Sequence, residues 1–385
     1  MPMTITIDKD QKKRLEVFSD VCKKAEGFCP VDNQSLFYFE DDTLEVFSTG
    51  AQGCIEVKLD AKSTSKDPEY FTVDLQKVVS AVKKVKNDDV AIKLDKNKVT
   101  IENPTKTKNF ITLAVSAKKT PDEVKETRAI ISSALSAFQD PVDVIVNEAN
   151  RKIFETFSEL TRLLDINDSF ELTPEYVRAS DHLFVASLKI DKDSIVKSDV
   201  LFNRNLSPVM KLCDEMKVTP KGQFLKMGPL GIRILFQPKQ PRWQFPSDDD
   251  IVGITPNKKS SYAMKVGGKT FLDAVEQFTG MFDASAWKYQ QVKIDVDGSD
   301  SFDMHFDDMS TEVNEQVSCE FVSNDTGEKS ISIILPTLHL TKMKDFLEDE
   351  KVEVVLNGLP VDEPHGAATT FKTSKVELVI AKLIE

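Results

Sequence analysis

The stretch Val73–Ile101, VDLQKVVSAVKKVKNDDVAIKLDKNKVTI, decides how the rest of the chain is read. Leu75, Val78, Val79, Val82 and Val85 recur at steps of three and four, the period of a helix with one apolar face, over Asp74–Lys86. Upstream, Tyr70–Val73 is a short β-prone run. Downstream, Ala91–Leu94 and Lys98–Glu102 alternate around Asp95-Lys96-Asn97 and read as two strands joined by a turn. The unit is therefore strand, helix, strand, turn, strand. It holds seven lysines in a chain whose formal net charge is −13, an opposition that any functional reading must resolve.

The same order returns twice. Asp199–Phe236, DVLFNRNLSPVMKLCDEMKVTPKGQFLKMGPLGIRILF, reads as a strand, then a helix over Asn203–Met216 with Leu206, Val209, Met210 and Cys213 inward. Pro208 falls early in that helix, where a missing N–H costs little. Two strands follow around Gly228-Pro229-Leu230-Gly231. Ser330–Gly358, SISIILPTLHLTKMKDFLEDEKVEVVLNG, reads as a strand and a helix over Thr337–Glu348 with Leu340, Met343, Phe346 and Leu347 inward, then the strand Val352–Leu356. The chain closes on Lys375–Leu383. A weaker partner, a helix followed by three strands, precedes each copy. Lys9–Ala25 leads into Leu36–Glu40, Leu44–Ser48 and Cys54–Leu59. Asn147–Leu164 leads into Phe170–Leu172, Tyr176–Ala179 and Leu183–Ile190. Gly268–Phe282 leads into strands around Val292–Val296, Ser301–Phe306 and Gln316–Val322.

Equivalent helices lie about 130 residues apart, a domain-sized spacing. Six half-units then pair into three domains, 1–118, 140–257 and 258–385, with the polar segment 119–139 as a linker holding at most a helical turn. Helices and short alternating strands in this order give an α+β class.

The composition narrows the function. Forty per cent apolar residues build real cores, and 29% charged residues suit a soluble protein. No charged-then-apolar signal pattern opens the chain, and the longest apolar runs, such as Ile331–Leu335, are too short to cross a bilayer. Five scattered cysteines without CxxC spacing point to a reduced compartment without structural zinc. The four histidines are isolated, Gly267-Gly268-Lys269 is not a phosphate loop, and no GxSxG elbow occurs. Asp295–Asp308, DVDGSDSFDMHFDD, invites a calcium reading. Its glycine is the fourth residue rather than the sixth and no glutamate is twelfth, so it reads as a hairpin with acidic tips. No catalytic residue, metal site or cofactor is expected.

Three strings add a resemblance to the repeat. VRASDHLFVA (Val177–Ala186) is similar to the Ala-Thr-Asp-Gly-His-Arg-Leu-Ala segment of bacterial DNA polymerase sliding clamps, without its glycine. QFPSDDDIVGITPNKK (Gln244–Lys259) is similar to the Phe-Pro-Asp…Pro joint between clamp domains and to the same stretch of T4-type phage clamps. VELVIAKLIE (Val376–Glu385) looks like a clamp's last strand and apolar tail, without the bacterial Met-Pro-Met-Arg ending. The whole chain thus resembles the sliding clamps, with a bacteriophage clamp as the expected source.

The resemblance implies a non-enzymatic ring, sheets outside and helices inside. A head-to-tail homodimer is expected, because a heterologous contact that closes makes a ring. It implies sequence-independent binding of double-stranded DNA, a DNA polymerase and a clamp loader as partners, no membrane, and a cytoplasmic location (the host's, for a phage protein). The residues expected to face DNA are Lys12, Lys13 and Lys23 on the first helix, Lys77, Lys83 and Lys84 on the second, and Arg151 and Lys152 on the third. Arg204 and Lys211 on the fourth and Lys269 on the fifth complete them. The sixth helix is not basic. Carried over position by position, the pocket for partner peptides is Ser180, His182, Leu183, Ile254, Pro256, Val379, Ile380 and Leu383. Two other readings stand beside this one. The first is a monomeric processivity factor binding DNA on one basic face. The second is a metal-dependent hydrolase using the Asp295–Asp308 carboxylates.

Overall fold

The computed structural model describes residues 3–25, 34–50, 53–64, 67–95, 98–115, 121–136, 141–163, 168–180, 184–212, 215–219, 224–227, 231–236, 261–279, 291–296, 300–308, 311–325, 331–349, 351–357 and 368–381. Its helices are α1 (Lys9–Ala25), α2 (Leu75–Lys84), α3 (Pro121–Ser136), α4 (Glu148–Leu163), α5 (Ser207–Met210), α6 (Gly268–Thr279), α7 (Thr337–Lys342) and α8 (Lys344–Leu347). The chain divides into two compact units, Met1–Arg151 with Ile195–Lys239, and Lys152–Ser194 with Gln240–Glu385.

The opening stretch folds as read, with tighter bounds. Asp74 caps α2, accepting from the Lys77 N–H at 3.1 Å. Leu75, Val78, Val79, Ala81 and Val82 are buried, and Lys77, Lys83 and Lys84 are exposed. The strands Val90–Asp95 and Lys98–Asn103 pair antiparallel. They belong to a five-stranded sheet ordered Lys62–Ser63, Met3–Ile7, Val90–Asp95, Lys98–Asn103, Lys106–Ala114.

The other sheet of the first unit has eight strands, ordered Val142–Ile145, Glu215–Val218, Phe224–Met227, Ile232–Phe236, Gly53–Asp60, Thr43–Gly50, Gln34–Glu40, Glu69–Asp74. Ile232–Phe236 therefore pairs with Gly53–Asp60, although the two strands lie far apart in the chain. The tight turn between Gln34–Glu40 and Thr43–Gly50 puts Asp41 and Asp42 at φ 47 and 59, the left-handed conformation that a two-residue hairpin demands. On one face of this sheet Phe37 stacks on Phe71 at 4.9 Å. The opposite face carries Leu36, Tyr38, Phe47 and Cys54, which pack against Val124 and Ile131 of α3. Burial on both faces explains why Gln34–Glu40 and Thr43–Gly50 read as apolar runs rather than clean alternations.

Helix α3 is the largest departure from the sequence reading. The segment expected as a linker holds a sixteen-residue helix. Pro121 starts it, Asp122 and Glu123 lie in its first turn, and Val124, Arg128 and Ile131 share one face. Two further expectations are corrected. The Asn203–Met216 helix is a 3-10 turn at Arg204–Leu206 followed by α5, because Glu215–Val218 is instead a strand paired with Val142–Ile145. The Thr337–Glu348 helix is interrupted at Met343 and becomes α7 and α8. The strand Lys106–Ala114 was not anticipated. Its lysines and threonines mask the alternation of Phe110, Thr112 and Ala114 with Ile111 and Leu113.

In the second unit one sheet runs Ser169–Leu172, Tyr176–Ser180, Phe184–Lys189, Val376–Ala381, Ala368–Lys372, Lys351–Asn357, Ser261–Gly267, Glu320–Asn324. A four-stranded sheet is ordered Thr311–Ser318, Ser301–Asp308, Gln291–Val296, Ile331–Pro336. Phe271 of α6 stacks on Phe371 at 5.4 Å and meets Phe302 at 6.5 Å, tying both sheets to one core.

Candidate nucleic-acid surface and partner pocket

Helices α1 and α2 lie antiparallel. Lys12 Nζ donates to the carbonyls of Val85 (3.0 Å) and Asn87 (3.4 Å), and Ser19 Oγ donates to Gln76 at 3.1 Å. Leu15, Phe18 and Val21 point into the core at 0% exposure, so the opposite face of α1 is solvated. Lys13, Lys23, Lys24, Lys83, Lys84 and Lys86 are exposed there, and none has an ion-pair or hydrogen-bond partner among the described residues. Lys9 pairs with Asp88 at 3.4 Å and Lys77 with Asp74 at 3.9 Å. Asp88 thus sits beside α1. Lys12 was expected to face DNA, yet its ammonium is committed to the end of α2. Arg151 and Arg204 are half-buried and Lys211 is exposed.

The helices of the second unit are different. Lys152 pairs with Asp345 at 3.3 Å, Lys342 with Glu159 at 3.4 Å and Lys344 with Glu276 at 2.7 Å, and Arg162 also meets Glu159. Lys269 is exposed at the start of α6.

The expected peptide pocket is described only in part. His182, Leu183, Ile254, Pro256 and Leu383 lie outside the described residues. Ser180, Val379 and Ile380 are inside them; strand pairing lines Ser180 up with Val379, while Ile380 stands opposite Phe184 and so on the other face of the sheet. Val185 faces Ser180 on one side and Val379 on the other, and Val379 in turn faces Thr370. Val185 and Val379 form an apolar contact at 3% and 1% exposure. The hydroxyls of Ser180 and Thr370 are buried without a hydrogen-bond partner among the described residues. Thr370 was not anticipated, because nothing in the sequence registers its strand against Val376–Ala381.

Alternation turns Phe184 to the other face, where its ring lies 4.8 Å from His339. His339 is 1% exposed, and burial pulls its imidazole down to about 4. Between the ordinary value near 6.5 and about 4, the unfolded chain binds a proton that the folded chain refuses. Stability should therefore be flat above that window and fall by roughly 3 kcal/mol as pH drops through it. Urea unfolding from pH 7 to pH 4 reads this. The His339→Gln variant should lose that part of the slope, and parallel curves for both proteins would rule out His339 as its source.

Solved structures share this architecture over its full length. The DNA polymerase sliding clamp from Caulobacter crescentus superposes with a TM-score of 0.68 at 16% identity, covering 100% of both chains. The clamp from Bacillus subtilis gives 0.68 at 13%, and the clamp from Pseudomonas aeruginosa gives 0.67 at 14%, again with 100% of both chains covered. The chain has the sliding-clamp fold. No protein-family model and no curated protein sequence matches it.

Within the clamp fold the acidic string Asp295–Asp308 contributes to two paired strands, as read, while 297–299, the expected tip, lie outside the described residues. Gln291–Val296 and Ser301–Asp308 pair antiparallel with Asp295 opposite Asp303. Asp295 accepts from His305 Nε2 at 2.9 Å and Asp303 from Gln316 at 3.3 Å. Among the described residues no group of three His, Cys, Asp or Glu side chains is placed to hold a metal ion. No described helix is long and apolar enough to cross a membrane.

Proposed function

We propose that this chain is a non-enzymatic sliding clamp that closes into a head-to-tail homodimer around duplex DNA and tethers a replicative DNA polymerase. A tethered polymerase rebinds the primer end before it diffuses away, an effect of local concentration rather than of catalysis. The three-domain division at 119–139 and near 257 belongs to this reading, as do a clamp loader and a partner-peptide pocket around Ser180, Val379 and Ile380.

One observation carries the ring. Twice, the last described strand of an expected domain continues the sheet of the domain before it. Ile232–Phe236 adds to Gly53–Asp60, and Val376–Ala381 adds to Phe184–Lys189. Both recipients are the third strand after the leading helix of their domain. The strands equivalent to this donor and recipient but left over are Lys106–Ala114 and Thr311–Ser318. Each is a terminal strand of its sheet. Their sequences are complementary, with Lys106 and Lys108 on one and Glu312 and Glu315 on the other. Phe110 is 59% exposed on the first edge. Such edges invite pairing with another chain, and a second copy supplies the matching edge at both ends.

Negative-stain images of the purified chain should show a two-chain particle with an open centre. A compact single-chain particle at micromolar concentration would sink the ring and leave the monomeric processivity factor as the better account.

A further inference from the structure

We propose that phosphate contact is confined to the α1–α2 surface, and that the helical surface of the second unit is a self-neutralised wall that DNA passes without being held. This rests on the clamp reading above and refines which residues do the holding. Residues 9–25 and 74–86 carry ten basic side chains against four acidic ones. Six of those lysines, Lys13, Lys23, Lys24, Lys83, Lys84 and Lys86, are exposed with no acidic partner among the described residues. Residues 152–163, 268–279 and 337–349 carry five basic side chains against seven acidic ones. Four of the five basic groups, Lys152, Arg162, Lys342 and Lys344, already meet a carboxylate.

Exposed ion pairs contribute little to stability. Their consequence here is electrostatic. A phosphate arriving at Lys152 or Lys344 meets an ammonium and a carboxylate within a few ångströms, well inside the Debye length of about 8–10 Å at physiological salt. The two fields nearly cancel, so few counterions are released and little affinity results. On α1 and α2 the field does not cancel. The antiparallel packing places Lys13 near the Lys83, Lys84 and Lys86 end of α2, and Lys23 and Lys24 near its beginning, so the cations run the length of the helix pair. Lys83 and Lys84 also occupy the last turn of α2, where the backbone dipole favours a cation. Of these, Lys86 was not among the residues expected to face DNA. Lys152 was, and its pairing with Asp345 removes it.

Anisotropy of a fluorescein-labelled blunt duplex titrated with the full chain over a series of salt concentrations tests this. The Lys13→Ala/Lys23→Ala/Lys83→Ala/Lys84→Ala variant should flatten the plot of log affinity against log salt by roughly three to four. The Lys152→Ala/Lys342→Ala/Lys344→Ala variant should leave the slope unchanged. Unmasking the wall with Glu276→Gln/Asp345→Asn should steepen the slope by about one to two. If the second variant flattens the slope as much as the first, the confinement is wrong while the clamp reading stands. If the wild-type chain does not bind the duplex even at low salt, DNA binding itself fails, and the confinement with it.

Discussion

The Arg233→Ala variant is expected to lose about 3–5 kcal/mol of folding stability, because it strands a buried carboxylate. Glu56 is 3% exposed on Gly53–Asp60, directly opposite Arg233 on the neighbouring strand. Arg233 grips it through both Nε and a terminal nitrogen. Burial raises the Glu56 carboxyl above its ordinary value, and Arg233 is the first of the groups pulling it back. Lys58 is 4.0 Å away and is already bonded to Glu45 at 2.8 Å, so it is a weak substitute. Without Arg233 the carboxyl should move further up. The sign follows from linkage. Below the unfolded value both states are protonated and the penalty is absent, and above it the penalty grows until the folded-state value is passed. Thermal melts should therefore show the deficit at pH 7 shrinking toward pH 4, and Glu56→Gln should rescue Arg233→Ala at neutral pH. A deficit of equal size at both pH values, unrescued by Glu56→Gln, would mean that the lost packing of the Arg233 stem is responsible.

The Phe110→Asp variant is expected to abolish the two-chain particle while leaving the fold intact. Phe110 is the most exposed of the large apolar side chains described and stands on an edge strand, so the fold itself gains little from it. A carboxylate placed on that edge would be brought against the strand of a second copy that carries Glu312 and Glu315, and like charges across paired strands destabilise pairing. Sedimentation velocity should report the single-chain mass with an unchanged melting profile. Retention of the dimer would mean that this edge is not the seam. Asn314→Lys, on the complementary edge, provides an independent check. It puts a cation on the strand proposed to meet the lysine-bearing edge and should weaken the same association by about fivefold, as roughly 1 kcal/mol of cross-strand repulsion implies.

Much of the fold was legible because the signals were periodic. Helix α2 announces itself through Leu75, Val78, Val79 and Val82, and the three-strand runs after α1, α4 and α6 follow from short apolar or alternating stretches bounded by turn residues. Failures occurred where a tertiary partner outvoted local pattern. Glu215–Val218 continues an apolar helical stripe in sequence but is drawn into strand pairing by Val142–Ile145. The 119–139 segment reads as polar because only one narrow face, Val124 with Ile131, is apolar, and the sheet face it covers is assembled from strands remote in sequence. The candidate site was legible at the level of helices and not of side chains. Lys12 and Lys152 were expected to face DNA from residue type and helix periodicity. Their partners at Val85 and Asp345 are tertiary, which no local reading can supply.

Helix α3 has a consequence for how the first unit comes apart. Its Arg128 lies over the Tyr38 ring at 3.6 Å and bonds Glu45 and Glu40, while its other contacts reach Ile232–Phe236. It therefore rests on both sides of the seam between Gly53–Asp60 and Ile232–Phe236. An unfolded connector of that length would be a slack cord of up to about 55 Å. Folded, it is a rod of about 24 Å lying across the seam like a splint. Strand separation there cannot proceed as an independent hinge motion, because the splint must lift first and expose Leu36, Tyr38 and Phe47 as it does so. That seam and its connector open as one cooperative unit, and the compliant joints of the chain must be sought elsewhere.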